Sequence, residues 1–358
     1  MPDHVLTRIA NRTGIITLDR PKALNSLSLA MVRALTAILL EWRLDAGVDA
    51  VLITSSSEKA LCAGGDIRFF HEVGNATPQG GSALLEDFFT EEYALNHLIH
   101  FYPKPYIALM DGVVMGGGMG IAQSGPECGL RIVTERTRMA MPEVNIGLFP
   151  DVGGSHFLSH APGRLGMYLG LTGLTIGAAD ALYVGLADVF VASTDLPALN
   201  ALIETTPGAQ LPAAIRAFAA APVGESELQA NRARIDAHFG ADSVAAILAS
   251  LEGDASPFAQ KALSAMRQRS PLMMCVTREL LLRGAALDVA DCLRMERSLV
   301  RRNFEHGEVL EGVRALVIDK DNAPQWNPAS LGLVTDQMVA RFFEPVWPAH
   351  AHPLRDLV

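Results

Sequence analysis

The sequence has little of what marks an exported, membrane-spanning or nucleic-acid-binding protein. Its 358 residues include only four cysteines, Cys62, Cys128, Cys275 and Cys292. They form no C-x-x-C pair and no dense spacing, so reduced thiols in a cytoplasmic protein are expected. Positive charge is in the minority, with 29 Lys and Arg against 39 Asp and Glu and a net charge of -10. That balance excludes the broadly basic surface a nucleic-acid backbone requires. Apolar residues make up 49% of the chain, yet charge, Gly or Pro breaks every apolar run before the roughly 18–20 residues that cross a bilayer. A soluble protein without a membrane partner is expected. The opening MPDHVLTRIANRTG has neither the apolar core of a secretory signal nor the Arg/Ser-rich amphipathic character of a transit peptide, which also favours the cytoplasm.

Several chemistries are missing as well. There is no G-x-x-x-x-G-K-[ST] loop to cradle phosphates and no G-x-G-x-x-G opening a dinucleotide-binding helix. Ser155 sits in GGSHF, which lacks the second glycine of a G-x-S-x-G nucleophile elbow. His156 and His160 stand four apart without an H-E-x-x-H around them, and they read as helix-surface histidines rather than metal ligands. His97, His100, His350 and His352 read the same way. No metal and no separate cofactor is expected.

What is present alternates between strand and helix. GIITLD at 14–19 and AVLIT at 50–54 are short β-branched runs. Between them Ser28 caps a helix whose Met31, Leu35, Ile38 and Trp42 recur at helical spacing and which stops near Gly47. A Gly/Pro-rich break at 74–81 precedes the helical stretch SALLEDFFTEEYALNHLIHF, then the apolar run YIALMDGVVM, the strand CGLRIVTE and a helix from Ser155. Such alternation means an α/β domain. Strand signals fade after Val191 and Ala-rich helical patterns follow, with a linker-like APVGES around Pro222. The expected division is residues 1–200 as the core and 201–358 as a mainly helical region.

Two glycine-rich turns, AGGD at 63–66 and MGGG at 115–118, each follow a strand-like run. Glycine lets a backbone amide approach a ligand with no Cβ in the way. Amides from two such turns can polarise one carbonyl oxygen, and the second turn opens a helix whose dipole favours negative charge. Either turn alone reads equally well as an ordinary tight βα connection. A third segment, MPEVNIGLFPDVGG, holds Glu143 and Asp151 among apolar neighbours. Desolvation there raises carboxylate basicity, as general-base or covalent carboxylate chemistry requires. The plainer reading is a pair of turn acids, with Asp151 capping the helix after Gly154.

RPKALNSLS at 20–28, LCAGGDI at 61–67, GVVMGGGMGIA at 112–122 and MPEVNIGLFPDVGG at 141–154 together resemble the enoyl-CoA hydratase/isomerase (crotonase) superfamily, in that order. FFTEEYALNHLI, IGLFPDVGG and EGVRALVIDKDNAPQWNPASL resemble its 3-hydroxyisobutyryl-CoA hydrolase branch. The resemblance implies a spiral of ββα units, with residues 1–200 as an acyl-CoA-binding catalytic core and coenzyme A entering as part of the substrate. It implies that the amides of Gly65 and Gly117 hold a thioester carbonyl. Lys22, Ala23, Leu24, Ala63, Gly64, Asp66 and Ile67 would line the path of the CoA ester, with Lys22 or Arg20 offsetting phosphate charge. Glu143 and Asp151 would be the catalytic acids, and Glu92 with Asp151 would sit near the acyl group, where one of them meets the 3-hydroxyl. The plainer reading of Glu92 is a solvent-facing acid.

One position departs from the superfamily pattern. Hydratases carry a glutamate shortly after the glycine triplet and a second in the P-E segment; here the first position is Gly120 and only Glu143 remains. Thioester cleavage needs one carboxylate, an oxyanion hole and a thiolate leaving group, so the departure favours hydrolysis over hydration. A hydratase using Asp151 or Glu92 as the second acid, and a silent acyl-CoA-binding subunit, are the alternatives. Superfamily trimers make a homo-oligomer one expectation, and a C-terminal segment folded back on its own chain makes a monomer the other.

Overall fold

The computed structural model describes residues 4–77, 79, 81–222 and 224–358. Of the expected break at 74–81, Pro78 and Gly80 lie outside the described residues, as does Val223 of the expected linker. The strands are β1 (Val5–Ala10), β2 (Thr13–Leu18), β3 (Ala50–Ser55), β4 (Ala60–Cys62), β5 (Tyr106–Met110), β6 (Val113–Met115), β7 (Gly129–Val133), β8 (Arg138–Ala140) and β9 (Val189–Phe190). The helices that bear on function are α1 (Leu29–Leu44), α2 (Ile67–Ala76), α3 (Ala83–His100), α4 (Gly117–Gly120) and α5 (Gly154–Ser159). Gly74 lies inside α2, so the break begins only after Ala76.

The chain forms two compact units, each drawn from three stretches: 1–65, 94–140 and 175–229 in the first, and 66–93, 141–174 and 230–358 in the second. The expected cut near residue 200 is therefore corrected. It marks where strands give way to helices, since β9 is the last strand named, whereas the units follow side-chain packing, which ignores chain order.

The first unit carries both sheets. Strands run in the order β1-β2-β3-β5-β7-β9 in one and β4-β6-β8 in the other. In the larger sheet β1 pairs antiparallel with β2, and the other named strand pairs run parallel. The run YIALMDGVVM proves to be two strands, β5 in the larger sheet and β6 in the smaller, split at Asp111–Gly112. Ser28 caps α1, accepting from the Met31 amide at 3.3 Å. Met31, Leu35, Leu39 and Trp42 are the buried stripe of that helix, with Leu39 rather than Ile38 facing inward. Ile15, Leu52, Ile107 and Leu130 of the large sheet pack with Leu199, Ile203, Leu211 and Ile215 from helices Leu196–Thr205 and Leu211–Phe218. Burial of these aliphatic side chains, each contributing about 1.5–3 kcal/mol, is the main source of this unit's stability.

The named elements of the second unit are helical: α2, the part of α3 through Tyr93, a 3-10 turn at Glu143–Ile146, α5, helix Leu165–Thr172 and the helices from Arg232 onward. Its packing is close. A Cβ at Gly166 would lie 1.8 Å from the Leu158 carbonyl oxygen, and one at Gly284 would lie 2.3 Å from that of Ser155. Among the described residues no helix is long and apolar enough to cross a membrane.

Candidate active site

In the first unit the two glycine turns lie against each other. Gly64 has φ +104°, and a Cβ there would stand 3.2 Å from the Met115 carbonyl oxygen and 3.5 Å from the Gly117 nitrogen. Gly118 seats α4 on β4: its Cβ would meet the Cys62 carbonyl oxygen at 2.2 Å. Gly116 donates to Ala140 at 3.3 Å, and Met119 and Gly120 donate back to Gly116. Among the described residues neither the Gly65 nor the Gly117 amide donates to another backbone group. These two N–H groups are the pair named from the sequence. Gly120 is buried in α4 and brings no acid.

The 22–24 turn is tied to the same region. Pro21–Ala23 form a 3-10 turn that ends on Leu24 at φ 49°, and the Ala63 amide donates to Leu24 at 3.0 Å. Lys22 and Leu24 are exposed and Ala23 and Ala63 half-buried. Asn25, which sequence reading passed over, organises the turn. It is fully buried, its Oδ1 accepts from the Arg20 amide at 2.7 Å, and its Nδ2 donates to Ser55 at 2.7 Å and to Leu61 at 3.0 Å. An Asn after an ordinary-looking turn gives no warning of this role.

The second unit gathers the acids. Glu143 and Asp151 are 6% and 5% exposed, Glu92 2%, and Glu296 0%. Glu92 is therefore not the solvent-facing acid that its place in an EE pair allowed. Tyr93 donates to Asp151 Oδ2 at 2.6 Å. Glu296 accepts from the Gly153 amide at 2.8 Å, from the Ser155 amide at 2.9 Å and from Ser155 Oγ at 2.5 Å. Asp151 is thus not the cap of α5. The helix has no capping side chain of its own, and Glu296, from helix Val289–His306, satisfies its first amides. Asp66 does act as a cap, accepting from the Phe69 amide of α2 at 3.4 Å, with Ile67 as first helical residue. Oε2 of Glu143 and Oε1 of Glu92 are buried with no hydrogen-bond partner among the described residues.

Burial and mutual repulsion set the protonation of these groups. Desolvation, then the charges of Asp151, Glu296 and Glu92, hold the Glu143 carboxyl well above the ordinary glutamate range. Desolvation, with a contribution from Asp151, does the same to Glu92. Asp151 is pushed up by burial to about 6, while the Tyr93 hydrogen bond opposes the rise. Glu296 is pushed up by burial to about 8 against the bonds from Ser155 and Gly153. A carboxyl whose folded pKa is raised stabilises the fold fully below its unfolded pKa, and that contribution is lost as pH rises through the folded value. For Glu296 the window runs from 4.5 to about 8. Glu296→Gln is accordingly expected to show a flatter fall in urea midpoint between pH 5 and pH 8 than the parent; parallel curves for the two proteins would contradict it.

The rings of His156 and His160 lie with centroids 4.2 Å apart and planes tilted by 32°, and no group of three metal-ligating side chains occurs among the described residues.

A family model described as enoyl-CoA hydratase/isomerase matches residues 13–343. A 3-hydroxyisobutyryl-CoA hydrolase, mitochondrial, of Danio rerio is 38% identical over 95% of this chain and 89% of its own length. The protein of the same name in Xenopus tropicalis is 40% identical over 93% and 87%. Among solved structures, a carnitinyl-CoA dehydratase from Mycobacterium thermoresistibile is 39% identical with a TM-score of 0.90, covering 96% of this chain and 97% of that one. An enoyl-CoA hydratase from Rhodobacter sphaeroides is 39% identical with a TM-score of 0.87, covering 96% and 98%. The expected crotonase-like α/β fold is thereby borne out. The cytoplasmic expectation is overturned, because the hydrolase relatives are mitochondrial proteins. Sorting sequences are read apart from the fold, so composition and cysteine spacing did not bear on compartment. With a family model over most of its length and relatives of this identity, the chain belongs to the enoyl-CoA hydratase/isomerase family.

Proposed function

We propose that this protein hydrolyses the thioester of a short 3-hydroxyacyl-CoA, 3-hydroxyisobutyryl-CoA, to 3-hydroxyisobutyrate and free CoA, a step of valine breakdown. The observation that carries this reading is Glu143: a buried carboxyl with an unpartnered oxygen, in a chain whose other hydratase acid position is Gly120. Relatives named 3-hydroxyisobutyryl-CoA hydrolase over nearly the full length support the substrate.

In the proposed reaction the amides of Gly65 and Gly117 donate to the thioester oxygen as it becomes an oxyanion, each worth about 3 kcal/mol of barrier. Glu143 attacks the carbonyl carbon, the C–S bond breaks, and CoA leaves as thiolate. Water then opens the mixed anhydride, restoring Glu143 and releasing the acid. Glu143 as general base on water, with direct attack by that water, is the close variant. Asp151 and Glu92 serve the acyl end, one of them accepting from the 3-hydroxyl. A buried acceptor left unpaired would discriminate strongly against an acyl group lacking that hydroxyl. Lys22, Ala23, Leu24, Ala63, Gly64, Asp66 and Ile67 line the path of the CoA ester.

Hydration is the second reading, favoured by the names of the two similar solved structures; Asp151 or Glu92 would then replace the acid absent at Gly120. Thiol release from 3-hydroxyisobutyryl-CoA separates the two. Hydrolysis predicts stoichiometric free thiol, with kcat/KM falling as pH falls through an apparent pKa well above 4.5, because only the ionised Glu143 reacts. Loss of an unsaturated thioester's absorbance without thiol would select hydration.

A further inference from the structure

We propose that Glu296 is the positioning residue of this site: it holds a strained turn in the one shape that points Asp151 at Tyr93. The turn is Asp151-Val152-Gly153. Val152 is β-branched and 3% exposed yet adopts φ 54°, a conformation such residues rarely take, and Gly153 follows at φ 88°. Two residues in the left-handed region do not persist unless their surroundings hold them. The holding group is the fully buried Glu296 carboxyl, which takes the Gly153 amide, the Ser155 amide and Ser155 Oγ at 2.5–2.9 Å.

The next residue closes a ring. Arg297, 1% exposed, donates to Thr90 Oγ1 at 2.9 Å and to Glu86 at 2.5 Å on α3. Three residues beyond Thr90 stands Tyr93, whose hydroxyl donates to Asp151 at 2.6 Å. The dipeptide Glu296-Arg297 therefore fixes both sides of the Tyr93–Asp151 bond: Glu296 holds the turn that carries the acceptor and Arg297 the helix that carries the donor.

The inference rests on the hydrolase reading for its kinetic readout and on amide exchange for an independent one. In Glu296→Gln one acceptor oxygen becomes an NH2 group, so one of the turn's amides loses its partner. Exchange over residues 150–158 should accelerate in this variant and not in Glu308→Gln, which removes a buried acid bonded to Ser270 and Asn327 instead. kcat should fall on the order of 10²-fold, as misplacement by about 1 Å costs, while KM for the CoA ester stays within about threefold of the parent. Adding Val152→Gly, which removes the strain that needs holding, should recover at least about tenfold of kcat. Unchanged exchange over 150–158, or kcat per folded molecule equal to the parent's, would overturn the proposal, as would a rescue that fails while exchange has accelerated. Should the parent hydrolyse no hydroxyacyl-CoA, the hydrolase reading falls and the exchange comparison alone decides the role of Glu296.

Discussion

Replacing Glu143 by Gln is expected to lower kcat by about 10³-fold, within the range for losing a general base or nucleophile, without weakening binding of the CoA ester. The amide keeps the volume of the side chain and cannot form an acyl anhydride or take a proton from water. It also removes an ionisable group that burial and the neighbouring charges of Asp151, Glu296 and Glu92 all disfavour as an anion. The variant should therefore melt at or above the parent temperature, because no buried pairing is broken when an oxygen without a partner is replaced. Lost turnover together with undiminished stability separates a chemical role from a folding defect. Equilibrium dialysis with 3-hydroxyisobutyryl-CoA and single-turnover thiol release measure the two halves. Turnover within tenfold of the parent would remove Glu143 from the mechanism, and loss of binding along with turnover would reassign it to holding substrate.

Those features of the site that announce themselves as sequence do so for a physical reason. Gly64 and Gly118 belong to turns that leave no room for a relaxed Cβ, and Glu143 interrupts an otherwise apolar segment, so each contrasts with its neighbours. Glu296 and Arg297 lie in helix Val289–His306 among Asp291, Arg294, Arg301, Arg302 and Glu305, where charged residues are ordinarily solvated. Only packing reveals that this pair points inward. Asp151 shows the converse: a plausible helix cap by position, it is displaced from that role by an acid more than a hundred residues away. Strands β1, β4 and β8 also escape a reading by pattern. β1 is exposed along most of its length, and β4 and β8 span three residues each, too few for a period of two to register. The division into interleaved units is invisible for the same reason, since composition follows chain order and packing does not.

Gly64→Ala is expected to lower turnover sharply through a single added methyl group. At φ +104° an L side chain is strained whatever the space around it, at a cost of about 1–3 kcal/mol. The added Cβ would also stand 3.2 Å from the Met115 carbonyl oxygen and 3.5 Å from the Gly117 nitrogen, and backbone atoms have no rotamer by which to yield. The strained φ and the tight approach to the Met115 carbonyl are relieved only by a shift of the AGGD turn or of Met115 by a few tenths of an ångström, next to the Gly65 and Gly117 amides. Since losing one oxyanion donor costs about 10²–10³ in kcat, kcat should fall by at least about 10²-fold. KM should change less than kcat, because the buried Asn25 ties the turn at Lys22, Ala23 and Leu24 to Arg20 and Ser55 as well as to Leu61. Gly177→Ala is the matched control: a Cβ there meets nothing within 4 Å, so turnover should equal the parent's. Steady-state thiol release on the three proteins, normalised to the folded fraction from thermal melts, measures the effect. Parental kcat in folded Gly64→Ala would mean that these two amides need not stay in register for catalysis, and the oxyanion role would then have to move to other donors.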